Sequence, residues 1–184
     1  MQQAKQLTVS IKDYLAGELS SDVRHEFYDG SVYAMAGAGR HHNIISLNIA
    51  TLLRQKSRGT PCRTFVADMK LNIAELNRFY YPDILLGCDE SDNNEYYLQN
   101  PCLIVEVLSP STEAIDRREK LHAYKDIASL QEYVIVSQEE QKLELYRRDG
   151  KHWQCFLLDK DDTLNLECLD IDIRMKEVYE DVFE

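Results

Sequence analysis

The sequences YYPDILL at residues 80–86 and LIVEVLS at residues 103–109 predict two β-strands and decide the interpretation of the fold. Both are short apolar runs of strand-forming residues, and each contains one carboxylate, Asp83 in the first and Glu106 in the second. A charged group inside such a run must be paired, bound to a metal ion or placed at the strand end. Two such acids on neighbouring strands indicate a divalent-cation site, and the alternative is a solvated strand end for each acid.

The segments after the second run predict a parallel strand pair joined by a helix. Residues 102–108 are continuously apolar except for the acid, which is typical of a strand buried on both faces. Ser109 to Thr112 would end this strand and cap a helix from about Glu113 to about Ile127. The apolar run at 130–136 then predicts a strand, and strand–helix–strand at this spacing implies a parallel pair.

The remaining segments alternate between short strands and amphipathic helices. Asp29-Gly30 between two alternating runs predicts a β-hairpin, in which Glu26 is expected to face solvent unless the hairpin covers a cleft. The other predicted elements are a helix capped by Ser10, a helix over 41–54, one long strand from Cys62 to Ile73, a strand over 79–86, a hairpin around Asp149-Gly150, strands at 164–166 and 171–173, and a helix near 175–179.

Composition predicts one globular domain spanning residues 1–184, with 44% hydrophobic and 29% charged residues. No apolar run approaches the length of a membrane span, and residues 1–7 lack the apolar core of a signal peptide. The five cysteines are odd in number and form no Cys-x-x-Cys pair, which argues against a zinc ribbon or a redox motif. We therefore expect a cytoplasmic chain with reduced, buried thiols.

The formal net charge of -11 argues against generic binding of polyanions, but the charges are unevenly distributed. From residue 128 onward there are 7 basic and 15 acidic side chains. Between Gly30 and Ala67 there is no acidic residue, and this segment contains Arg40, Arg54, Lys56, Arg58, Arg63, His41 and His42. The segment could face phosphate groups, or it could be the solvated face of a helix.

The two acids have the chemistry that hydrolysis of a phosphodiester requires. Asp83 and Glu106 offer hard oxygen ligands for Mg²⁺ or Mn²⁺, and the carbonyl of Val107 at the same strand end is a further candidate ligand. Lys120, on the following helix, would supply a positive charge beside the attacking water. Alternatively, Lys120 pairs only with Asp116 four residues earlier, an interaction that contributes a few tenths of a kcal/mol.

The motif residues carry a family resemblance. Pro82-Asp83 followed by Glu106-Val107-Leu108 resembles the PD-(D/E)xK signature of restriction-endonuclease-like nucleases. The chain closely resembles the Uma-type endonuclease family over about Val9 to Ile173. The segments that carry this resemblance are EFYDG at 26–30, MAG at 35–37, HN at 42–43, DMK at 68–70, IVEVLSPST at 104–112, DRREK at 116–120, Tyr124 and LQEY at 130–133.

The resemblance implies an α+β fold of the restriction-endonuclease-like type, a mixed sheet flanked by helices with an added N-terminal hairpin and a C-terminal antiparallel meander. It also implies a magnesium-dependent endonuclease that acts on DNA as a homodimer, with His42 and Glu26 as supporting catalytic residues. Leu108 occupies the position where the general signature has lysine. In the family the lysine is moved to the next helix, here Lys120, and Lys70 is a second candidate for the missing cation.

Two other functions remain open at this point. The fold could serve as a catalytically weak or inactive module that binds nucleic acid or protein, since the acidic net charge offers little phosphate neutralisation. It could also be a metal-dependent hydrolase of a small phosphorylated molecule. A single cleft lined by Glu26, His42, Asp83, Glu106 and Lys120 would favour an enzyme.

Overall fold

The protein is described by a computed structural model that covers residues 8–110 and 113–183. In chain order the elements are α1 (Ile11–Glu18), β1 (His25–Tyr28), β2 (Ser31–Ala34), α2 (Arg40–Lys56), β3 (Arg63–Val66), β4 (Lys70–Ile73), a 3₁₀ turn (Ala74–Leu76), β5 (Arg78–Tyr80), β6 (Ile84–Gly87), β7 (Tyr97–Leu98), β8 (Pro101–Val107), α3 (Glu113–Ile115), a π-helical turn (Asp116–Lys120), α4 (Leu121–Lys125), β9 (Glu132–Val136), β10 (Leu143–Asp149), β11 (His152–Leu158), β12 (Thr163–Leu166), β13 (Ile171–Arg174) and α5 (Met175–Val178).

Three sheets organise these strands. The central sheet has the order β11-β10-β9-β8-β6-β3, a second sheet has the order β2-β1-β5-β4-β7, and β12 and β13 form a separate hairpin. Strands β8 and β9 are parallel, as the helical crossover between them predicts, and their neighbours β6 and β10 are antiparallel. The fold is therefore the predicted mixed sheet flanked by helices, with the N-terminal hairpin of β1 and β2 in the second sheet.

The predictions of one strand over 62–73 and of another over 79–86 are both wrong, because each run forms two strands. A turn at 67–69 separates β3 from β4, and Tyr81 to Asp83 separates β5 from β6, so that each run passes from one sheet to the other. Pro82 lacks the N–H that a continuous ladder needs, which explains the second break. Asp83 consequently lies at the point where the chain re-enters the central sheet.

The central sheet is buried on both faces. Leu103, Val105 and Val107 of β8 pack on one side, in a core that includes α2, α5 and the β12–β13 hairpin. Ile104, between them, packs on the other side against α4 and the second sheet. This alternation places Glu106 on the same side as Ile104, below the helical segment that begins at Glu113.

Two local predictions about chain reversals and caps are confirmed. The β1–β2 hairpin turns at Asp29 and Gly30, which have φ values of 42° and 89°, and Ser10 accepts a hydrogen bond from the backbone N–H of Asp13 at the start of α1. A Cβ atom at Gly30 would lie 2.9 Å from the Cβ of Thr8, so the position requires glycine for space as well as for conformation.

The expectation of reduced, buried thiols is wrong for this structure. Four cysteines converge, and they form the disulfides Cys62–Cys88 and Cys102–Cys168. The fifth, Cys155, is exposed on β11. The convergence was not visible in the sequence because the four residues come from separate strands and turns.

Glu132 is a fully buried acid that joins the C-terminal hairpin to the central sheet. Its carboxylate pairs with Arg147 at 2.9 Å and accepts hydrogen bonds from the backbone N–H groups of Glu167 and Cys168. We expect Glu132→Ala to lower the free energy of unfolding by about 3–5 kcal/mol, because it leaves two buried N–H groups without an acceptor and removes the buried partner of Arg147, which keeps its contacts with Glu167 and Asn165. Urea denaturation measures the free energy of unfolding, with exposed Glu139→Ala as the control. An equal loss of stability in both variants would contradict the role of Glu132 in joining the hairpin to the sheet.

Candidate active site

Asp83 and Glu106 lie side by side at one end of the central sheet. Strands β6 and β8 pair with Ile84 opposite Val105, so the next position along each strand is occupied by one of the two acids. The Oδ2 atom of Asp83 accepts the backbone N–H of Val107 at 2.7 Å, which ties the loop before β6 to the end of β8. Both acids thus occupy the adjacent strand ends that the sequence predicts.

Lys120 reaches back over these strand ends. Its Nζ atom lies 3.0 Å from Oε1 of Glu106, 3.1 Å from Oε1 of Glu26 and 3.1 Å from Oδ1 of Asp116. The side chain is 5% exposed. Lys120 ends a π-helical turn, a local widening of a helix that frequently occurs at functional sites. Lys120 pairs with Asp116 and also contacts Glu106 on β8, so the alternative in which it pairs only with Asp116 is wrong.

Glu106 is almost completely buried among charged and hydroxyl groups. Its Oε1 atom accepts the hydroxyl of Tyr124 at 2.8 Å in addition to the ammonium of Lys120. Burial raises the pKa of Glu106 well above its ordinary value; the Lys120 ammonium opposes the shift, and the carboxylates of Asp116, Asp83 and Glu26 add to it. The site therefore holds more negative charge than one lysine balances.

The same electrostatics keep Lys120 protonated. Burial alone would lower the pKa of its ammonium, but the surrounding carboxylates of Glu106, Glu26 and Asp116 raise the pKa well above the ordinary value of lysine. The surrounding carboxylates therefore favour the ammonium form of Lys120.

His42 holds Asp83 from the opposite side. It lies in the first turn of α2, with Nε2 3.2 Å from Oδ2 of Asp83. Burial lowers the pKa of His42, but the hydrogen bond and charge of Asp83 and a hydrogen bond with the Val107 backbone outweigh it and raise the pKa. The backbone of Val107 therefore contacts both residues, in the place where the sequence predicted its carbonyl as a ligand.

Two adjoining cavities open onto these groups. One, of about 470 Å³, is lined by Glu26 and Lys120, and the other, of about 540 Å³, is lined by His42 and Asp83. Both are also lined by Met35 and Ala36, so the segment after β2 lies between them. The candidate residues are thus divided between two neighbouring cavities, and Glu106 is not among the lining residues of either.

The structure corrects two expectations about supporting residues. Glu26 does not face solvent: the hairpin covers the cleft, and Glu26 lies beside Lys120. Lys70 is not the substitute cation, because its amine lies over the ring of Tyr81, and among the described residues it forms no ion pair. Its neighbour Asp68 is exposed and pairs with Arg24. Tyr124 and Asp116 were not predicted as site residues, although each lies four residues from Lys120, on the same side of the helical segment.

The donor set fits a hard divalent cation. Three carboxylates, those of Glu26, Glu106 and Asp116, contact one ammonium group, and the carboxylate of Asp83 lies next to Glu106; all four offer oxygen ligands. The Oδ2 atom of Asp83 accepts the N–H of Val107 and contacts His42. Within the described residues, the Oδ1 atom of Asp83 makes no hydrogen bond. A bound cation would offset the excess negative charge.

The mixed sheet, with an acid at each of two adjacent strand ends and a lysine that contacts one of them, defines a restriction-endonuclease-like fold. The model of the family described as "Uma2: Putative restriction endonuclease" matches residues 11–176, and the chain belongs to this family. Within the described residues, no helix is long and apolar enough to cross a membrane.

Two proteins of known sequence and one of known structure are similar to this chain. The chain is 33% identical over 173 residues to uncharacterized protein slr1290 of Synechocystis sp., covering 93% of this chain and 91% of the relative. It is 34% identical over 145 residues to uncharacterized protein sll1609 of the same organism, covering 77% and 82%. The crystal structure of a "putative nuclease belonging to DUF820" from Anabaena variabilis superposes with a TM-score of 0.70 at 15% identity, over 89% of this chain and 93% of that one.

Proposed function

We propose that the protein is a metal-dependent endonuclease that hydrolyses phosphodiester bonds in DNA, with Mg²⁺ or Mn²⁺ as the cofactor. The observation that carries this proposal is the convergence of Glu26, Glu106 and Asp116 on Lys120, with Asp83 beside Glu106 at the adjacent strand end. A structural sheet end would pair each acid separately with solvent or an arginine, whereas here Glu106 shares Lys120 with two other acids and Asp83 lies beside it, paired with His42.

The roles follow from the contacts. Asp83 and Glu106 would hold the cation, with the carbonyl of Val107 as a further ligand. When bound, the cation would neutralise charge on the phosphodiester and acidify a water molecule. Lys120 stabilises negative charge that develops on the phosphate, since the neighbouring carboxylates raise the pKa of its ammonium group and favour the charged form.

Two further residues position these groups. Glu26 fixes the Lys120 ammonium from the hairpin side of the cleft, at 3.1 Å. His42 holds Asp83 through Nε2, at 3.2 Å. Both contacts restrict the rotamers of the groups that they touch, which is how an enzyme keeps its reacting groups in place before substrate binds.

An unpaired basic surface supports DNA as the substrate. Arg40, Arg54, Lys56 and Arg58 are exposed on or just after α2, and within residues 8–110 and 113–183 none of them forms a salt bridge. Arg40 lies beside His42 in the first turn of this helix, and Arg54 and Lys56 lie in its last turn, about 18 Å further along its axis. Unpaired arginine and lysine side chains are the groups that bind the phosphate backbone.

We expect the double variant Arg54→Ala, Arg58→Ala to bind duplex DNA more weakly, and about equally so for every sequence. Removal of each phosphate-binding side chain should lower the slope of log affinity against log salt by about 1. Fluorescence anisotropy at several salt concentrations measures both quantities. Lys151→Ala, in the exposed β10–β11 turn, is the matched control, and an equal effect there would place the DNA elsewhere.

The proposal includes a homodimer, because a DNA duplex presents two strands and one site cuts one of them. Sedimentation at micromolar concentration, with and without a duplex oligonucleotide, measures the assembly. A protein that remains monomeric in both conditions while it cuts both strands would overturn this part.

Plasmid nicking distinguishes the candidate functions. The protein is incubated with supercoiled plasmid, and in parallel with a chromogenic phosphomonoester, in Mg²⁺, in Mn²⁺ and in excess chelator. A nuclease relaxes the plasmid only when metal is present. Turnover of the phosphomonoester alone would indicate a hydrolase of small molecules, and DNA binding without any turnover would indicate an interaction module; either result would overturn the proposal. Glu106→Gln, purified identically, controls for contaminating nucleases.

A further inference from the structure

Four cysteine sulfur atoms meet at a second place in the molecule, where no catalytic residue lies. Cys62 precedes β3, Cys88 follows β6, Cys102 lies in β8, and Cys168 lies in the turn between β12 and β13. The sulfur atoms of Cys88, Cys102 and Cys168 are all within 4.8 Å of one another. Cys62 is bonded to Cys88, so that all four sulfurs form one cluster.

This cluster is separate from the candidate active site. Asp83 and Cys88 flank opposite ends of β6, five positions apart, and Cys102 and Glu106 are near opposite ends of β8. At about 3.4 Å per residue, five strand positions correspond to about 17 Å. A ligand of the cysteines would therefore not touch the acids around Lys120.

We propose that the reduced cysteines 62, 88, 102 and 168 bind one Zn²⁺ ion as a closed, structural tetrathiolate site. Zinc–sulfur bonds of about 2.3 Å in a tetrahedron place the sulfurs about 3.8 Å apart. The sulfurs of Cys88 and Cys102 are 3.5 Å apart, and both lie within 4.8 Å of the sulfur of Cys168, which suits a single ion. Cys62, which is bonded to Cys88 in the disulfide form, would supply the fourth ligand after reduction. An iron–sulfur cluster interposes sulfide between several irons and would hold the thiolates further apart.

The surroundings suit a structural role. Cys62 and Cys102 are each 7% exposed and belong to the main apolar core, with Cys88 and Cys168 packed against it. The turn that carries Cys168 is held in place because the backbone N–H groups of Glu167 and Cys168 donate to Glu132. All four ligands would come from the protein, so no position is left for substrate. The ion would join the β12–β13 hairpin to β3, β6 and β8.

The zinc-bound form and the disulfide form exclude one another. Reduction of Cys62–Cys88 and Cys102–Cys168 breaks two S–S bonds and takes four electrons and four protons from a thiol reductant. Binding of Zn²⁺ then displaces the protons of the coordinating thiols to solvent, with no change in oxidation state.

The test uses the full chain, reduced and handled without oxygen, and titrates it with Co²⁺ as a spectroscopic probe. We expect one equivalent of Co²⁺ to give the visible spectrum of tetrahedral thiolate coordination and Zn²⁺ to displace it. Cys168→Ser and Cys102→Ser should lose this spectrum. Cys155→Ser, which removes the exposed cysteine outside the cluster, should retain it. Asp83→Asn should also retain it, which keeps this test independent of the proposed nuclease.

Thermal unfolding provides the second measurement, in case the cysteine variants do not fold. Zinc should raise the melting temperature of the reduced wild-type protein, and a chelator should reverse the shift. A Co²⁺ spectrum that persists in Cys168→Ser, a reduced wild-type protein that shows neither the spectrum nor the shift, or purified protein that contains iron and sulfide would overturn the proposal.

Discussion

Replacement of Lys120 by methionine is expected to reduce the rate of plasmid nicking by about 10²–10³-fold while Mn²⁺ binding persists. Methionine has a length similar to that of lysine but no charge, so the variant removes the ammonium that contacts Glu106, Glu26 and Asp116. The oxygen ligands for the metal remain. The variant therefore separates the role of the lysine in catalysis from the binding of the cofactor.

Folding of Lys120→Met must be measured alongside its activity, because the substitution deprives three buried carboxylates of their shared partner. Circular dichroism with and without Mn²⁺ provides this, since a bound divalent cation replaces part of the missing charge. Lys125→Met is the matched control: its amine lies over the rings of Tyr146 and Trp153, on the same helical segment but outside the cleft. A folded Lys120→Met variant that nicks DNA at the wild-type rate would contradict the role of the lysine.

Replacement of Glu106 by glutamine is expected to abolish nicking and, in metal-free buffer, to raise the free energy of unfolding by about 1 kcal/mol or more. The amide oxygen can still accept from Lys120 and Tyr124. The substitution removes the negative charge of Glu106, which the carboxylates of Asp116, Asp83 and Glu26 repel. A residue that lowers the stability of the fold but is needed for activity is the usual mark of a functional site.

Urea denaturation of wild type and Glu106→Gln, each with and without Mg²⁺, measures this effect. Magnesium should stabilise the wild-type protein and have a smaller effect on the variant. Exposed Glu139→Gln, also on the carboxyl side of a central strand, should behave like wild type. If Glu106→Gln is both less stable than wild type and active, the acid is structural.

The strand-end acids could be predicted from the sequence because the residues next to them in the chain determine their environment. Asp83 and Glu106 each interrupt an apolar run, and buried charge in a strand requires a partner. Lys120 could be predicted because a helix that connects parallel strands must return along the sheet, and residues at four-residue steps share one side of it. These three positions depended on short-range pattern and on one topological rule.

The remaining features depended on how distant segments pack. The alternation of residues along β1 predicts that Glu26 faces solvent. Only the position of the whole hairpin over the cleft buries its side chain. The breaks within 62–73 and 79–86 occur where the chain passes between sheets, and apolar character continues across both. The four cysteines come from segments that are adjacent in space but far apart in sequence, so no spacing motif predicts that they converge.

Calorimetric titration of Mn²⁺ into the metal-free wild-type protein and into Asp83→Asn, with exposed Asp68→Asn as the control, tests the central claim most directly. The asparagine can still accept the N–H of Val107 but loses the charge that a cation binds. We predict one saturable site outside the cysteine cluster in the wild type and in Asp68→Asn, and an affinity at least about 100-fold lower in Asp83→Asn. Equal affinity in all three proteins, or no such site in the wild type, would contradict a metal-dependent active site at these strand ends.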